Sequence, residues 1–217
     1  MTDTSHWPTT LPSMRSWLEE RLRGPIDRAA LAEPFSPDLS FGRHRGPAPS
    51  RVRRAAVVCV MMQCEGSWMI PLTVRPEHLK HHGGQVCFPG GECDPGETME
   101  VAAAREWHEE LGVDGDALEF VGRLAPVHVF ASNYIVAPCV AVAPRQQFRP
   151  SADEVDEIVW LDPTTPPIPH GTQTIERGSL CFQTPYLECG GRRVWGATAV
   201  MLGELLTRLA PHTHRGD

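Results

Sequence analysis

The sequence predicts a single α/β domain, in which strands and helices alternate along most of the chain. Residues 55–62 read AAVVCVMM, a continuous apolar run with the length of a strand that is buried on both faces. Residues 99–111 place apolar side chains on one side of a helix and carboxylates on the other. The length of 217 residues and the hydrophobic content of 41% suffice for one such domain with a short extension.

The first fifty residues are predicted to form an N-terminal extension. A helix is expected at residues 11–23, because apolar side chains recur every four residues from Met14 onwards. A second short helix is expected at residues 26–32, and residues 34–49, which are rich in proline and glycine, are expected to form a linker. We therefore divide the chain into an extension (1–50), a main domain (51–210) and a tail (211–217).

The later elements follow from apolar runs that end at turn-forming residues. Prolines between residues 163 and 169 predict a loop-rich connection ahead of the last strands. Gly190 and Gly191 predict the turn of a hairpin. The predicted strands cover residues 55–62, 68–73, 118–124, 133–142, 157–161, 180–186 and 193–195, and a closing helix covers residues 197–209.

The composition argues against several classes of partner. A formal net charge of −7 argues against nucleic-acid binding through a general positive field. Seven scattered cysteines without a Cys-x-x-Cys pair argue against a disulfide framework and against a zinc site, and favour a reducing compartment. No apolar run approaches the length of a membrane span, and the first thirty residues lack the apolar segment of a secretory signal. We therefore expect a cytoplasmic protein with neither a membrane nor a nucleic-acid partner.

The helix at residues 99–111 carries the densest group of acidic side chains. Thr98 is a good N-cap, and Gly112 suits the position after the helix end. At about 100° per residue, three glutamates fall within an arc of about 100°; they are Glu106, Glu109 and Glu110. Like charges at this spacing repel one another, and an oxygen-ligated divalent cation such as Mg²⁺ would relieve the repulsion. A solvated acidic face is the alternative that the residue types alone allow.

The spacing around this helix decides between the two readings. Gly91, five residues, Glu97, seven residues and then the segment REWHEELGV at residues 105–113 match every fixed position of the Nudix box. The chain therefore resembles the Nudix hydrolases. The resemblance implies an α/β/α sandwich with a mixed sheet. It also implies metal-dependent cleavage of a nucleoside diphosphate that is linked to another group.

The resemblance also implies roles for the residues of the box. An Mg²⁺ or Mn²⁺ ion would be held by one backbone carbonyl and three carboxylates, those of Gly90, Glu106, Glu109 and Glu110. The implied catalytic residues are Arg105, Glu106, Glu109 and Glu154. Arg105 would orient a carboxylate through its forked guanidinium.

Two acidic residues have open assignments. Glu97 is either a plain acid near the start of the helix or a residue that positions the site. Glu154 is the first choice for the late-loop acid that many Nudix enzymes use as a base or as a metal ligand, and a solvated turn acid is an equal alternative.

A second motif lies upstream of the box. Residues 72–75 read LTVR, and they are followed by Lys80, Gly84 and the segment FPGG at residues 88–91. This pattern is similar to that of a Nudix subgroup, the coenzyme A pyrophosphatases. The chain departs from the pattern at three positions, with Pro71 for leucine, Pro76 for a small residue and Lys80 for arginine. Lysine keeps the charge but loses the bidentate fork.

The subgroup resemblance implies substrate binding by Arg75, Lys80, Gly84 and Phe88. Phe88 is either a platform for the adenine or a core residue, and the core position is the simpler reading. His78 and His82 are four residues apart but lie in a predicted loop, so we do not assign them to zinc.

The resemblance predicts hydrolysis of coenzyme A and its derivatives to 3′,5′-ADP and 4′-phosphopantetheine. An ADP-ribose or dinucleotide pyrophosphatase is the alternative, with Pro126 as a weak indication for it. A nucleotide sensor that does not cleave is a second alternative, although the intact box argues against it. The expected partner is a small nucleotide diphosphate, and the sequence leaves monomer and homodimer open.

Overall fold

The computed structural model describes residues 7–24, 33–35, 52–79, 82–129, 132–165, 171–177 and 180–210. The second helix predicted at residues 26–32, Lys80 and the tail after residue 210 lie outside these ranges. No helix in the described ranges combines the length and the apolar character that a membrane span requires.

The helices of the described residues are α1 (Leu11–Arg23), α2 (Met99–Leu111) and α3 (Gly196–Leu209). The strands are β1 (Arg53–Cys64), β2 (Ser67–Val74), β3 (Val86–Cys87), β4 (Gly90–Glu92), β5 (Glu119–Arg123), β6 (Val127–Val129), β7 (Tyr134–Pro144), β8 (Glu157–Leu161), β9 (Gly171–Arg177), β10 (Leu180–Cys189) and β11 (Arg192–Trp195). Short 3₁₀ turns cover Glu33–Phe35 and Gly115–Ala117.

A mixed sheet forms the centre of the described structure. Its main path runs β3-β2-β1-β7-β5, with β4 beside β1, β6 beside β7 and β8 beside β2. β1 and β7 are parallel over eleven paired residues, whereas the other pairings in this sheet are antiparallel. The β11-β10-β9 strands form a second, antiparallel sheet.

Helices cover both faces of the central sheet, which confirms the predicted α/β/α sandwich. On one face, alternate residues of β1 pack against the apolar side of α2, where Trp107 and Leu111 are fully buried. On the other face, the intervening residues of β1 share a core with α1 and α3. The run at residues 55–62 is buried on both faces because each face of the strand has its own helical layer.

The N-terminal helix α1 is part of this core. Thr10 caps it, because its side chain accepts from the Ser13 backbone N–H while the Ser13 side chain accepts from Thr10. Met14 and Leu18 are fully buried against the sheet and α3. The predicted helix therefore packs on the sandwich by its apolar stripe.

The short strands were missed by the sequence interpretation. β3, β4 and β6 have two or three residues each, which is too few for a periodic pattern to appear. β9 lies where a loop-rich connection was expected, so the prediction for residues 171–177 was wrong. This strand pairs with β10 and was hidden by the prolines that precede it.

Candidate active site

The helix α2 presents its acidic side next to the glycine pair of β4. Thr98 accepts a hydrogen bond from the Val101 backbone N–H, and Gly112 ends the helix in the left-handed conformation, with φ of 64°. Both helix ends therefore lie where the sequence predicts them. With Trp107 and Leu111 buried in the core, the rotation of the helix is fixed, and Glu106 and Glu110 are aimed at β4.

The two glycines allow close approach of backbone and carboxylate. β4 runs antiparallel to β1, with Gly90 opposite Val57 and Gly91 opposite Ala56. Gly90 has φ of 150°, and a side chain there would collide with the β1 backbone. A Cβ atom at Gly91 would lie 2.5 Å from the Glu106 carboxylate, so only glycine leaves room for that carboxylate.

Arg105 donates hydrogen bonds to three carboxylates. Its Nε and Nη2 donate to the two oxygens of Glu97 at 3.0 and 3.1 Å. Its Nη1 donates to Glu106 at 2.8 Å and to Glu109 at 3.1 Å, and Nη2 also reaches the Glu92 carbonyl at 2.8 Å. The hydrogen bonds that Arg105 donates to Glu97 are the largest of the contributions that raise the pKa of Arg105 above its ordinary value. Glu97 also accepts from the Asp94 backbone N–H at 2.8 Å, so it positions Arg105 rather than serving as a plain helix-end acid.

The three box glutamates differ in exposure. Glu109 is 48% exposed and touches Arg105 at the rim, whereas the Glu106 carboxyl is mostly covered. Burial raises the pKa of Glu106 above its ordinary value; hydrogen bonding to Arg105 lowers it, and the charges of Glu109 and Glu154 raise it further. Glu110 is only 3% exposed, although its position on the helical wheel predicts an outward side chain.

Glu110 lies beneath β4 and beside β2. Its Oε2 accepts from the Gly90 backbone N–H at 3.3 Å, and its Oε1 lies 3.8 Å from Nη1 of Arg75. Burial raises the pKa of Glu110 to about 8, against a lowering effect of Arg75. The upstream motif and the box therefore meet at one carboxylate.

The loop at residues 145–156 brings Glu154 to the same place. The backbone N–H groups of Arg149 and Ser151 donate to the last carbonyls of α2, those of Leu111 and Glu110, at 2.8 and 2.9 Å. The Ser151 carbonyl also accepts a hydrogen bond from the Glu154 backbone N–H at 3.0 Å, and this bond closes a turn. The charge of Glu154 contributes to the raised pKa values of both Glu106 and Glu110, because the three carboxylates lie within electrostatic range.

The other residues that were predicted to bind substrate have different environments near the box glutamates. The Arg75 backbone N–H donates to the Gln85 carbonyl at 3.0 Å, and the Gly84 N–H donates back to the Arg75 carbonyl at 2.9 Å. Gly84 has φ of 70°, so it closes the loop in a conformation that favours glycine. Phe88 is 2% exposed and belongs to the core, where almost none of its ring surface is open to an adenine.

Comparison with known proteins identifies the family. The model of the NUDIX domain matches residues 52–177, which span β1 to β9 and include the whole site. The chain belongs to the NUDIX family. It is therefore a Nudix hydrolase, as the box predicts.

Two curated relatives illustrate the relationship. A mitochondrial coenzyme A diphosphatase from Homo sapiens is 34% identical over 178 residues, which cover 76% of this chain and 73% of the relative. Nudix hydrolase 3 from Caenorhabditis elegans is 28% identical over 181 residues, which cover 75% of each chain. Among solved structures, a MutT/nudix family protein from Enterococcus faecalis aligns with a TM-score of 0.49 and 13% identity, over 94% of this chain and 75% of that chain.

The donor set of the Nudix site fits a hard divalent cation. Glu106 and Glu110 are one helical turn apart, and the backbone of Gly90 and Gly91 lies against both carboxylates. Within the described ranges, no three carboxylate, imidazole or thiolate groups already converge on one metal position. Arginines contact the glutamates instead, Arg105 at Glu106 and Arg75 at Glu110.

Sequence reasoning missed the residues that brace β4. The Glu92 carboxylate binds the Arg53 guanidinium and accepts from the Tyr134 hydroxyl at 3.0 Å, while Arg53 lies over the Tyr134 ring. Because the Glu92 carbonyl also receives Arg105, this group fixes the strand that carries the glycine pair. Glu92 occupies a variable position of the box, so no sequence signal distinguishes it.

Proposed function

We propose that this Nudix hydrolase cleaves the diphosphate of coenzyme A and its derivatives, with 3′,5′-ADP and 4′-phosphopantetheine or its acyl derivative as products. The observation that carries the proposal is the contact of Arg75 with Glu110, which joins the coenzyme A motif to the Nudix box. The similarity to a relative named as a coenzyme A diphosphatase, over three quarters of the chain, supports it. A cytoplasmic location and a small-molecule substrate are part of the same proposal.

The metal ligands of this proposal are the carboxylates of Glu106 and Glu110, the Gly90 carbonyl and, at the rim, Glu109. A bound Mg²⁺ or Mn²⁺ ion supplies charge neutralisation of the diphosphate and activation of a water. The chain's own contribution is orientation. Arg105 holds Glu106 and Glu109 at fixed positions, and Glu97 and the Glu92 carbonyl hold Arg105.

Glu154 is the residue that we assign as the general base. Within the described part of the chain, its carboxylate has no hydrogen-bond or ion-pair partner, whereas Glu106 and Glu109 are held by Arg105. A base needs a free oxygen within reach of the attacking water. The docking of the 145–156 loop on α2, together with the effect of the Glu154 charge on both Glu106 and Glu110, supports this assignment.

The cationic residues of the upstream motif would bind the phosphates of the substrate. Arg75 is 29% exposed beside Glu110, so its guanidinium can reach a diphosphate that is bound over the box. We assign Lys80, which lies outside the described residues, to the 3′-phosphate of coenzyme A. A charge-assisted hydrogen bond to that group contributes about 1.5–3 kcal/mol, which is roughly a tenfold to hundredfold preference over dephospho-coenzyme A.

The test is a substrate panel with product masses. Coenzyme A, dephospho-coenzyme A and ADP-ribose are incubated with Mg²⁺, with Mn²⁺ or with a chelator, and kcat/KM is compared. We expect coenzyme A to be cleaved fastest, to the two products named above, and only with metal. Faster cleavage of ADP-ribose than of coenzyme A would contradict the substrate assignment. Turnover that persists in the chelator would contradict the metal requirement.

A further inference from the structure

Arg75 occupies the approach to a carboxylate that is proposed to bind metal. One oxygen of Glu110 faces Nη1 of Arg75 at 3.8 Å, and the other accepts from the Gly90 N–H at 3.3 Å. With a side chain that is almost fully buried, Glu110 has little access to other cations. A divalent ion that binds the Oε1 side must therefore come close to the guanidinium.

The backbone of Arg75 is held by hydrogen bonds, while its guanidinium has no hydrogen bond within the described residues. Hydrogen bonds with Gln85 and Gly84 hold the residue itself, and the Asp156 N–H donates to the preceding carbonyl of Val74 at 2.8 Å. The side chain is part-exposed, and 3.8 Å is longer than a hydrogen bond. The guanidinium can thus leave Glu110 by rotamer changes, without any movement of β2.

We propose that Arg75 competes with the metal ion for Glu110, and that metal binding displaces the guanidinium toward the diphosphate of the substrate. The proposal rests on the metal site described under the proposed function. It makes Arg75 a counter-ion of the metal-free enzyme and a phosphate ligand of the loaded enzyme.

Two physical consequences follow. A positive charge within about 4 Å of a divalent ion opposes its binding, so the wild-type enzyme binds metal more weakly than its donor set allows. A diphosphate gives the displaced guanidinium a new partner, so metal and substrate each increase the affinity of the other by the same factor.

The first measurement is Mn²⁺ affinity in the absence of substrate, by calorimetry or by electron paramagnetic resonance. Arg75→Gln and Arg75→Met should bind Mn²⁺ at least about fivefold more tightly than the wild type, which is the lower end of typical coupling between sites. Arg75→Lys keeps the charge and should stay close to the wild type. Arg54→Gln, which removes an exposed arginine from the start of β1, is the matched control and should change little.

The second measurement is thermal unfolding with and without metal. In a chelator above about pH 8, where the Glu110 carboxyl is charged, Arg75→Gln should unfold at a lower temperature than the wild type, because Glu110 loses its counter-ion. Saturating Mg²⁺ should close that gap. A gap that persists in Mg²⁺ indicates an ordinary structural role and overturns the proposal.

The possible outcomes distinguish a failure of this proposal from a failure of the proposed function. Wild-type enzyme that binds Mn²⁺, together with an Arg75→Gln variant that binds it no more tightly, overturns the competition alone. Wild-type enzyme that fails to bind Mn²⁺, or an E106Q variant that binds it equally well, removes the metal site and this inference with it. Tighter binding in both neutral variants, with unchanged binding in the Arg54 control, is the expected result.

Discussion

At the scale of single residues, the three box glutamates have different environments despite their common helical face. Glu106 lies against Gly91, Glu109 remains half-exposed at the rim, and Glu110 is enclosed beneath Gly90. The helical wheel places all three side chains on one arc. It contains no information about β4 and the 145–156 loop, which cover part of that arc, and so it does not distinguish their exposure. The differences predict unequal effects of the same substitution.

Glu106→Gln should lower kcat by at least about 10²-fold, because it removes a charged ligand that the glycine pair and Arg105 hold in place. Glu109→Gln should have a smaller effect, since its carboxylate is half-exposed and, within the described residues, is bound only to Arg105. Steady-state kinetics with Mg²⁺ will measure both, and circular dichroism will verify folding. Near-native turnover by a folded Glu106→Gln variant would show that the metal assignment is wrong.

The raised pKa of Glu110 predicts that the folding stability of the metal-free protein depends on pH. Its pKa in the folded state is about 8, above the ordinary value of 4.5, so ionisation destabilises the folded state. The stability associated with the neutral carboxyl is fully present below pH 4.5 and is lost as the pH rises through about 8. A shift of this size corresponds to several kcal/mol at the upper limit.

Glu110→Gln removes this titration. In a chelator, the variant should match the wild type near pH 5 and exceed its melting temperature increasingly toward about pH 8.5, where the wild-type carboxyl is charged. The same substitution should lower kcat by at least about 10²-fold, because it removes a proposed ligand. Parallel melting curves of variant and wild type across this pH range would contradict the raised pKa.

At the scale of elements, α1 and α3 cap each other's C-terminal ends. Nη1 of Arg21 donates to the carbonyls of Arg208 and Ala210 at 2.7 and 2.8 Å. Nη1 of Arg208 donates to carbonyls at the end of α1, including that of Arg21 at 2.9 Å. Arg208 also binds Glu204, which is 6% exposed and accepts from the Ala125 N–H at 3.0 Å. Five carbonyls at the two helix ends and one buried carboxylate thus depend on two arginines.

Arg208→Ala should therefore destabilise the protein by about 3–5 kcal/mol, because it leaves the buried Glu204 charge without a counter-ion. Arg23→Ala is the matched control on the partner helix, since Arg23 is 79% exposed and should contribute little. Denaturant unfolding will give both values. The double substitution Arg208→Ala with Glu204→Gln should recover part of the loss. A single variant as stable as the control would show that the pair contributes nothing.

The sequence predicts elements well where local chemistry bounds them. The bounds of α2 follow from the caps at Thr98 and Gly112, which act through neighbouring backbone groups, whereas α1 was predicted from its apolar repeat from Met14 onwards. The ends of the long strands differ from prediction by up to three residues, because they depend on partners elsewhere in the chain. The contact of Arg21 with Arg208 joins residues 187 positions apart, and no local pattern indicates it.

The candidate site is predictable to a similar extent. The box spacing brings Glu106, Glu110 and the glycines together, and the upstream motif brings Arg75 to them. The sequence already favours a core position for Phe88, but it does not reveal that Glu110 is buried or that Glu92 braces Arg105. Each of these depends on how the sheet, the 145–156 loop and α2 pack against one another.

At the scale of the whole molecule, the sandwich has two apolar layers, one on each face of the sheet, which support different parts of the structure. The layer between the sheet and α2 orients the box glutamates. The layer on the opposite face contains α1 and α3, and within the described residues no hydrogen bond or ion pair joins those helices to the box glutamates. A defect in the α1–α3 layer should therefore lower stability without changing the metal requirement.

Removal of residues 1–24 tests this division. The truncation exposes the surfaces that cover Met14 and Leu18, each worth about 1.5–3 kcal/mol of burial, and it leaves Arg208 without the α1 carbonyls. The sum is comparable to the whole stability of a typical domain, about 5–15 kcal/mol. We expect a strongly lowered melting temperature or aggregation, with any residual turnover still dependent on metal. Removal of residues 1–6 alone keeps every contact described above and serves as the control. A truncated chain that melts like the control would show that α1 is dispensable, and a stable truncation that has lost turnover would show that α1 takes part in the chemistry.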